Sequence, residues 1–195
     1  MDRSSVIFGN KMSSGVIKSA EKKQRKYIRK FGDDRDKHYV LEVQDNPCLG
    51  PILGVKNLVI QVANPDVTDV VNGESQLRLD EKSLIVGNIR MGFGHYRISM
   101  AIASAAHAMG YTPYWMDLNS YQETTGGKVI NAQNELYSLG SRLSGKSRLF
   151  NRFVWEPMNY EGFRKLSYNA ADQKNAELMT PVFYDIPKGK FLLSF

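Results

Sequence analysis

The chain has 195 residues, 42% of them hydrophobic, and a formal charge of +6, values ordinary for one soluble globular domain able to bury a core. No run is long enough for a membrane-spanning helix, and the first residues lack the apolar core of a secretory leader. The single cysteine, Cys48, excludes an internal disulfide and a cysteine-based metal site, and fits a reducing cytoplasm.

The positive charge sits at one end. Residues 1–30 hold nine Lys and Arg against Asp2 and Glu21, whereas the rest of the chain holds 17 basic and 18 acidic residues. Residues 1–35 therefore read as a basic N-terminal segment, mobile at its start, and residues 36–195 as the folded domain. Ile17, Ala20, Tyr27, Ile28 and Phe31 recur at helical spacing, and Lys18, Lys22, Lys23, Arg25, Lys26, Arg29 and Lys30 fill much of the remaining surface. Residues 16–31 thus predict a basic amphipathic helix. It is either docked on the domain with its cations solvated, which is the leading reading, or in weak contact with an anionic membrane surface. Specific nucleic-acid binding ranks last, because aromatic stacking residues are not interleaved with the charges as single-strand binders require.

Further along, His38–Val43 and Asn57–Ala63 have the branched, alternating character of strands. Val67–Val71, Asn72-Gly73 and Gln76–Leu79 suggest a hairpin. Together these form an extra sheet edge or layer. Leu84–Ile89 is a short apolar run, as in a strand covered on both faces. Gly92 and Gly94 allow a tight turn and a close approach of backbone to ligand. A helix comes next with Ile98, Ala101, Ile102, Ala105 and Met109 on one side, ended by Gly110 in a left-handed conformation. Thr112–Asp117 is the next strand, completing a βαβ unit of right-handed sense. Asn119–Lys128, which contains Thr124-Thr-Gly-Gly-Lys128, reads as a polar surface loop. Asn131–Leu143 reads as a helix, Leu149–Tyr168 as an aromatic cluster broken at Pro157 that is core first and, where exposed, a seat for an apolar acceptor or a partner helix, and Ala170–Met179 as a helix ended by Thr180-Pro181. Phe191–Phe195 is a third parallel strand. The predicted fold class is α/β, a parallel or mixed sheet with flanking helices.

The chemistry concentrates in the turn Gly92-Phe93-Gly94-His95-x-Arg97. Unpaired N–H groups and the helix dipole at such a start attract phosphate. Gly92, Phe93, Gly94 and Arg97 are the candidate binding residues, with Arg90 able to add a charge-assisted contact. An arginine stands where the dinucleotide fingerprint has its third glycine, which disfavours NAD, and the Walker pattern is absent. His95 beside a helix N-terminus is favoured as neutral imidazole, the state of a general base. Asp117 at the end of the adjacent strand is the first candidate to orient its ring, with Glu123 second.

These residues carry a resemblance. Gly92-Phe-Gly94-His95 after an apolar strand, with Ala101 and Gly110 on the helix after it, resembles the first βα unit of GT-B glycosyltransferases. The likeness is to the diacylglycerol galactosyltransferases and the peptidoglycan N-acetylglucosaminyltransferase, although Phe93 separates glycines that are adjacent there. It covers residues 83–118 and, loosely, the remainder of the chain to Phe195. The resemblance implies a Rossmann-like acceptor-side half of a two-domain enzyme, direct transfer from a nucleotide sugar to an unknown acceptor, His95 and Asp117 as catalytic residues, and no cofactor or metal. Phe191–Phe195 without a further helix predicts that the chain is the first half of such a protein and transfers no sugar alone. The alternative is a non-catalytic nucleotide- or phosphate-binding module, or a remnant without activity. Either would be cytoplasmic, or peripheral to a membrane.

Overall fold

The computed structural model describes residues 6–7, 10–61, 77–90, 93–164, 173–187 and 190–193. Its centre is β5, Ser83–Asn88, where Ile85 and Val86 point to opposite faces and are both fully buried. A strand with no polar face can persist only where helices cover both sides, and that is the arrangement here. β5 pairs in parallel with β6, Thr112–Asp117, from Ser83↔Thr112 to Asn88↔Asp117. On its other side β5 pairs in parallel with β7, Phe191–Leu193. β4, Lys56–Ile60, lies parallel to β6, and β3, Leu41–Asp45, closes that edge antiparallel to β4. The order β3-β4-β6-β5-β7 is an α/β mixed sheet of Rossmann-like type, with the three expected parallel strands adjacent. A separate ribbon pairs β1, Val6–Ile7, with β2, Asn10–Lys11. Val67–Val71 and most of the expected hairpin lie outside the described residues.

Two cores separate the faces. Tyr114 and Met116 join Leu58, Ile85, Tyr121, Met179 and Val182 on one side, and Trp115, between them on β6, joins Val55 and Ala103 on the other. The first face is covered by α4, Thr125–Lys146, and by a 3-10 turn, Glu177–Met179, running into α7, Thr180–Phe183. The second is covered by α2, Gly50–Leu53, and α3, Phe93–Ala108. Pro181 does not end a helix as expected. It occupies the first turn of α7, where its missing N–H breaks no helical bond.

The face of α3 against the sheet differs from the expected one. Ser99, Ala103 and Ala106 are buried, whereas Ile98 is 48% and Met109 is 74% exposed. Small side chains let the helix lie close, and the Ser99 hydroxyl shares its proton between the carbonyls of Gly87 at 3.2 Å and His95 at 3.1 Å. The helix end agrees with expectation. Gly110 has φ +80°, and the Tyr111 N–H donates to the Ala106 carbonyl at 2.9 Å.

The basic segment folds as α1, Ser14–Phe31, capped by the Ser13 hydroxyl. Ala20 and Gln24 are buried, and Gln24 donates to the Lys174 carbonyl and, at 2.9 Å, to the Glu177 carboxylate. The helix is therefore docked, with Lys18, Lys22, Lys23, Lys26 and Arg29 facing outward. Between α4 and the 3-10 turn, the chain runs through α5, Arg148–Phe150, a π-helical turn, Asn151–Trp155, and α6, Glu156–Arg164. Pro157 lies in the first turn of α6 and does not break it. The expected aromatic core is also corrected: Leu149, Phe153 and Tyr160 are about 70% exposed (71%, 67% and 68%).

Candidate functional site

Sheet topology locates the site. From β5 the chain crosses through α3 to β6 on one side, and from β6 it returns through α4 and α7 to β7 on the other. The carboxyl end of β5 is thus where the direction of winding reverses, the position at which open α/β sheets hold ligands. The first turn of α3 starts there.

Helical geometry begins at Phe93, five residues earlier than the apolar rhythm from Ile98 indicates. Gly94 and His95 are therefore inside the first turn rather than in a loop before it. Gly94 has no positive φ, and a Cβ built on it would meet nothing within 4 Å. The tight-turn explanation for this glycine falls away. Gly92 lies outside the described residues. Arg97 is exposed and His95 is half-buried, and neither side chain has a hydrogen-bond or ionic partner among the described residues. Their availability, at a helix start whose first N–H groups lack intrahelical partners and carry the positive end of the helix dipole, suits an anion.

Asp117 does not orient His95. Its Oδ2 accepts from Arg90 Nε at 2.6 Å and is ion-paired with Arg90 Nη2, while its Oδ1 accepts from the Asn119 N–H at 3.1 Å. The reason is geometric. Asn88 and Asp117 are register partners, so the residue two beyond Asn88 reaches across to the last residue of β6. The Arg90 N–H donates to Asn119 Oδ1 at 2.6 Å, and Asn119 and Asn131 exchange two hydrogen bonds, at 2.9 and 3.0 Å. Arg90, Asn119, Asn131 and Ser99 hold the strand end and both helices in place. Only Arg90 stood out in the sequence. Asn131, six residues into α4, carried no signal of its own. Glu123 is exposed in the connecting loop.

The second glycine-bearing segment is corrected. Thr124–Gly127 is no surface loop but the buried start of α4. Thr124 Oγ1 accepts from the Gly127 N–H at 2.9 Å, and the Asp34 carboxylate accepts from the Thr125 N–H at 2.8 Å. The Tyr39 hydroxyl donates to the same Asp34 oxygen at 3.1 Å. Burial, reinforced by the Asp34 charge, pushes the Tyr39 phenol up to about 12. Below it, Tyr121 donates to the Leu58 carbonyl at 2.8 Å, and burial drives its phenol far above the ordinary range. A Cβ at Gly126 would collide with Met179 and the Leu178 carbonyl, and one at Gly127 with the Tyr121 carbonyl. No ligand can enter where a methyl group cannot.

Away from this edge, Lys22, Arg25, Ile28, Arg29 and Arg35 line an open surface groove of about 470 Å³. Arg35 already grips Asp33 through two hydrogen bonds, at 2.8 and 2.6 Å, and this holds the Asp33 carboxyl below its usual range. Among the described residues no His, Cys, Asp and Glu side chains gather as a metal site, and no helix is long and apolar enough to cross a membrane.

Fold and site together define an α/β protein of Rossmann-like architecture with an open helix start at its winding reversal. The chain belongs to the family described as Domain of unknown function (DUF6937), whose profile matches residues 6–193. No curated protein and no solved structure matches it.

Proposed function

We propose that the carboxyl end of β5 binds a phosphate-bearing small molecule, a nucleotide or nucleotide sugar, through the first turn of α3, His95 and Arg97. The observation that carries this is the first turn of α3, where among the described residues His95 and Arg97 have no side-chain partner and a Cβ at Gly94 would meet nothing within 4 Å. A phosphate seated there accepts from the free amides, gains from the helix dipole, and takes a charge-assisted bond from Arg97. Binding ranks ahead of catalysis because Asp117, the carboxylate expected to orient His95, is engaged by Arg90. Calorimetric titration of the full chain with UDP and with inorganic pyrophosphate tests the site. Arg97→Ala should weaken binding at least about tenfold, the worth of one charged hydrogen bond. Equal affinity in the variant, or no heat at millimolar ligand, removes the proposal.

A second reading is glycosyl transfer, with this domain as the acceptor-side half of a GT-B-like enzyme. One feature favours it: His95, in the first turn of α3, has no side-chain partner among the described residues and is available to take an acceptor's proton. In a protein that carries both halves, His95→Ala should lower UDP release from a UDP-sugar on the order of a hundredfold while sparing UDP affinity. Unchanged turnover would leave His95 a binding residue.

A further inference from the structure

Past Asn134, α4 leaves the body of the domain. The one position buried again is Gly140, and there the covering group is the Trp155 ring, which a Cβ would strike. Tyr137 meets the same ring at a centroid distance of 5.5 Å. The chain turns at Ser147, whose hydroxyl accepts from the Phe150 N–H at 3.2 Å, and α5 and the π-helical turn fold back on α4. The result is a helical arm.

Its surface is unusual in two ways at once. Leu136, Leu139 and Leu143 are exposed at helical spacing on α4, and Leu149, Phe153 and Val154 are exposed beyond the turn. Exposed apolar side chains in such number mark a surface that is covered in use. The charges of the same stretch are all of one sign. Residues 136–155 contain Arg142, Lys146, Arg148 and Arg152 and no Asp or Glu.

We propose that this arm seats the protein on an anionic lipid bilayer, with Leu149 and Phe153 entering the acyl boundary and Arg142, Lys146, Arg148 and Arg152 resting among the lipid phosphates. Charge complementarity selects this occupant. A second copy of the arm would bring its own four cations against the first four. A nucleic acid would match the cations but offer nothing apolar to Leu149, Phe153 and Val154. A bilayer presents phosphates immediately above hydrocarbon, the same order in which long cationic side chains and apolar ones divide at an interface. This contact differs from the expected one through residues 16–31, where Ala20 and Gln24 are buried and Gln24 is tied to Lys174 and Glu177. It is also independent of ligand binding at α3.

The test is co-sedimentation of the full chain with phosphatidylcholine vesicles, with and without phosphatidylserine. Binding should require phosphatidylserine, weaken with salt, and fall about tenfold or more in the double variant Leu149→Ser with Phe153→Ser. Both side chains are exposed, so the variant should keep the wild-type circular dichroism. As a second readout, Phe153→Trp should shift its emission to the blue on vesicles and be quenched by brominated lipid. Absence of vesicle binding overturns the proposal. So does a tryptophan at 153 that stays in water, or binding kept by the double variant and lost on neutralising Lys22, Lys26 and Arg29. A dimer in solution that the double variant dissociates would assign the arm to a second copy instead.

Discussion

Two helices, α3 and α4, start at the carboxyl ends of the adjacent strands β5 and β6, and both carry glycine in the first turn. At α4 the protein supplies its own anion. Asp34 caps the Thr125 N–H, Thr124 caps Gly127, and Leu178, Met179 and the Tyr121 carbonyl close over the glycines. At α3 nothing comparable is present: Gly94 faces open space, and His95 and Arg97 have no partners among the described residues. Glycine at a helix start therefore stands in two distinct settings here. At Gly127 it lets protein approach protein, and at Gly94 no described atom lies close enough to require it.

The largest expected effect breaks the closed start. Gly127→Ala places a methyl group in the Tyr121 carbonyl, and the loss should reach about 3 kcal/mol, the upper end for overpacking, in urea unfolding. A loss below about 1 kcal/mol would mean that the α4 start has slack and is no better filled than that of α3. Next comes Asp34→Ala, which strips the acceptor from the Thr125 N–H and the Tyr39 hydroxyl and should cost about 2 kcal/mol. If stability were unchanged, water could replace the carboxylate and the cap would not be protein-supplied.

Alkaline pH sharpens the same contrast. The folded Tyr39 phenol lies near 12, above its ordinary value near 10, so its neutral form is favoured in the native state. Its contribution to stability is complete below about pH 10 and is lost as pH rises toward 12. Stability measured across that window should decline less steeply in Tyr39→Phe than in the wild type. Parallel curves would place Tyr39 outside the Asp34 cap. The smallest effect belongs to the open start. Gly94→Ala should leave stability unchanged or raise it by up to about 1 kcal/mol, since alanine suits a helix better. A clear loss would show that α3 is packed after all.

Much of this fold could be read along the chain, because its central unit is local. The apolar run of β5, the helix ended at Gly110 and the strand ending at Asp117 lie within about 35 residues, and each has a signature set by local backbone geometry. What escaped reading depends on distant segments. The burial of Thr124–Gly127 is decided by Asp34, 91 residues before Thr125, and by Leu178 and Met179. The sheet-facing side of α3 was misassigned because apolar periodicity weighs bulk, whereas close approach selected Ser99, Ala103 and Ala106. The position of Asp117 was legible but its partner was not, since Arg90 is 27 residues away. Periodicity likewise marked the apolar residues around Leu149 and Phe153 without showing that they are exposed.

The contrast between the two helix starts is tested most directly by ¹⁵N–¹H spectra of the full chain titrated with UDP. The amides of Gly94 and His95 should shift progressively, while those of Thr125, Gly126 and Gly127 stay in place. Shifts at Thr125–Gly127, or none at Gly94 and His95 at millimolar ligand, would contradict it.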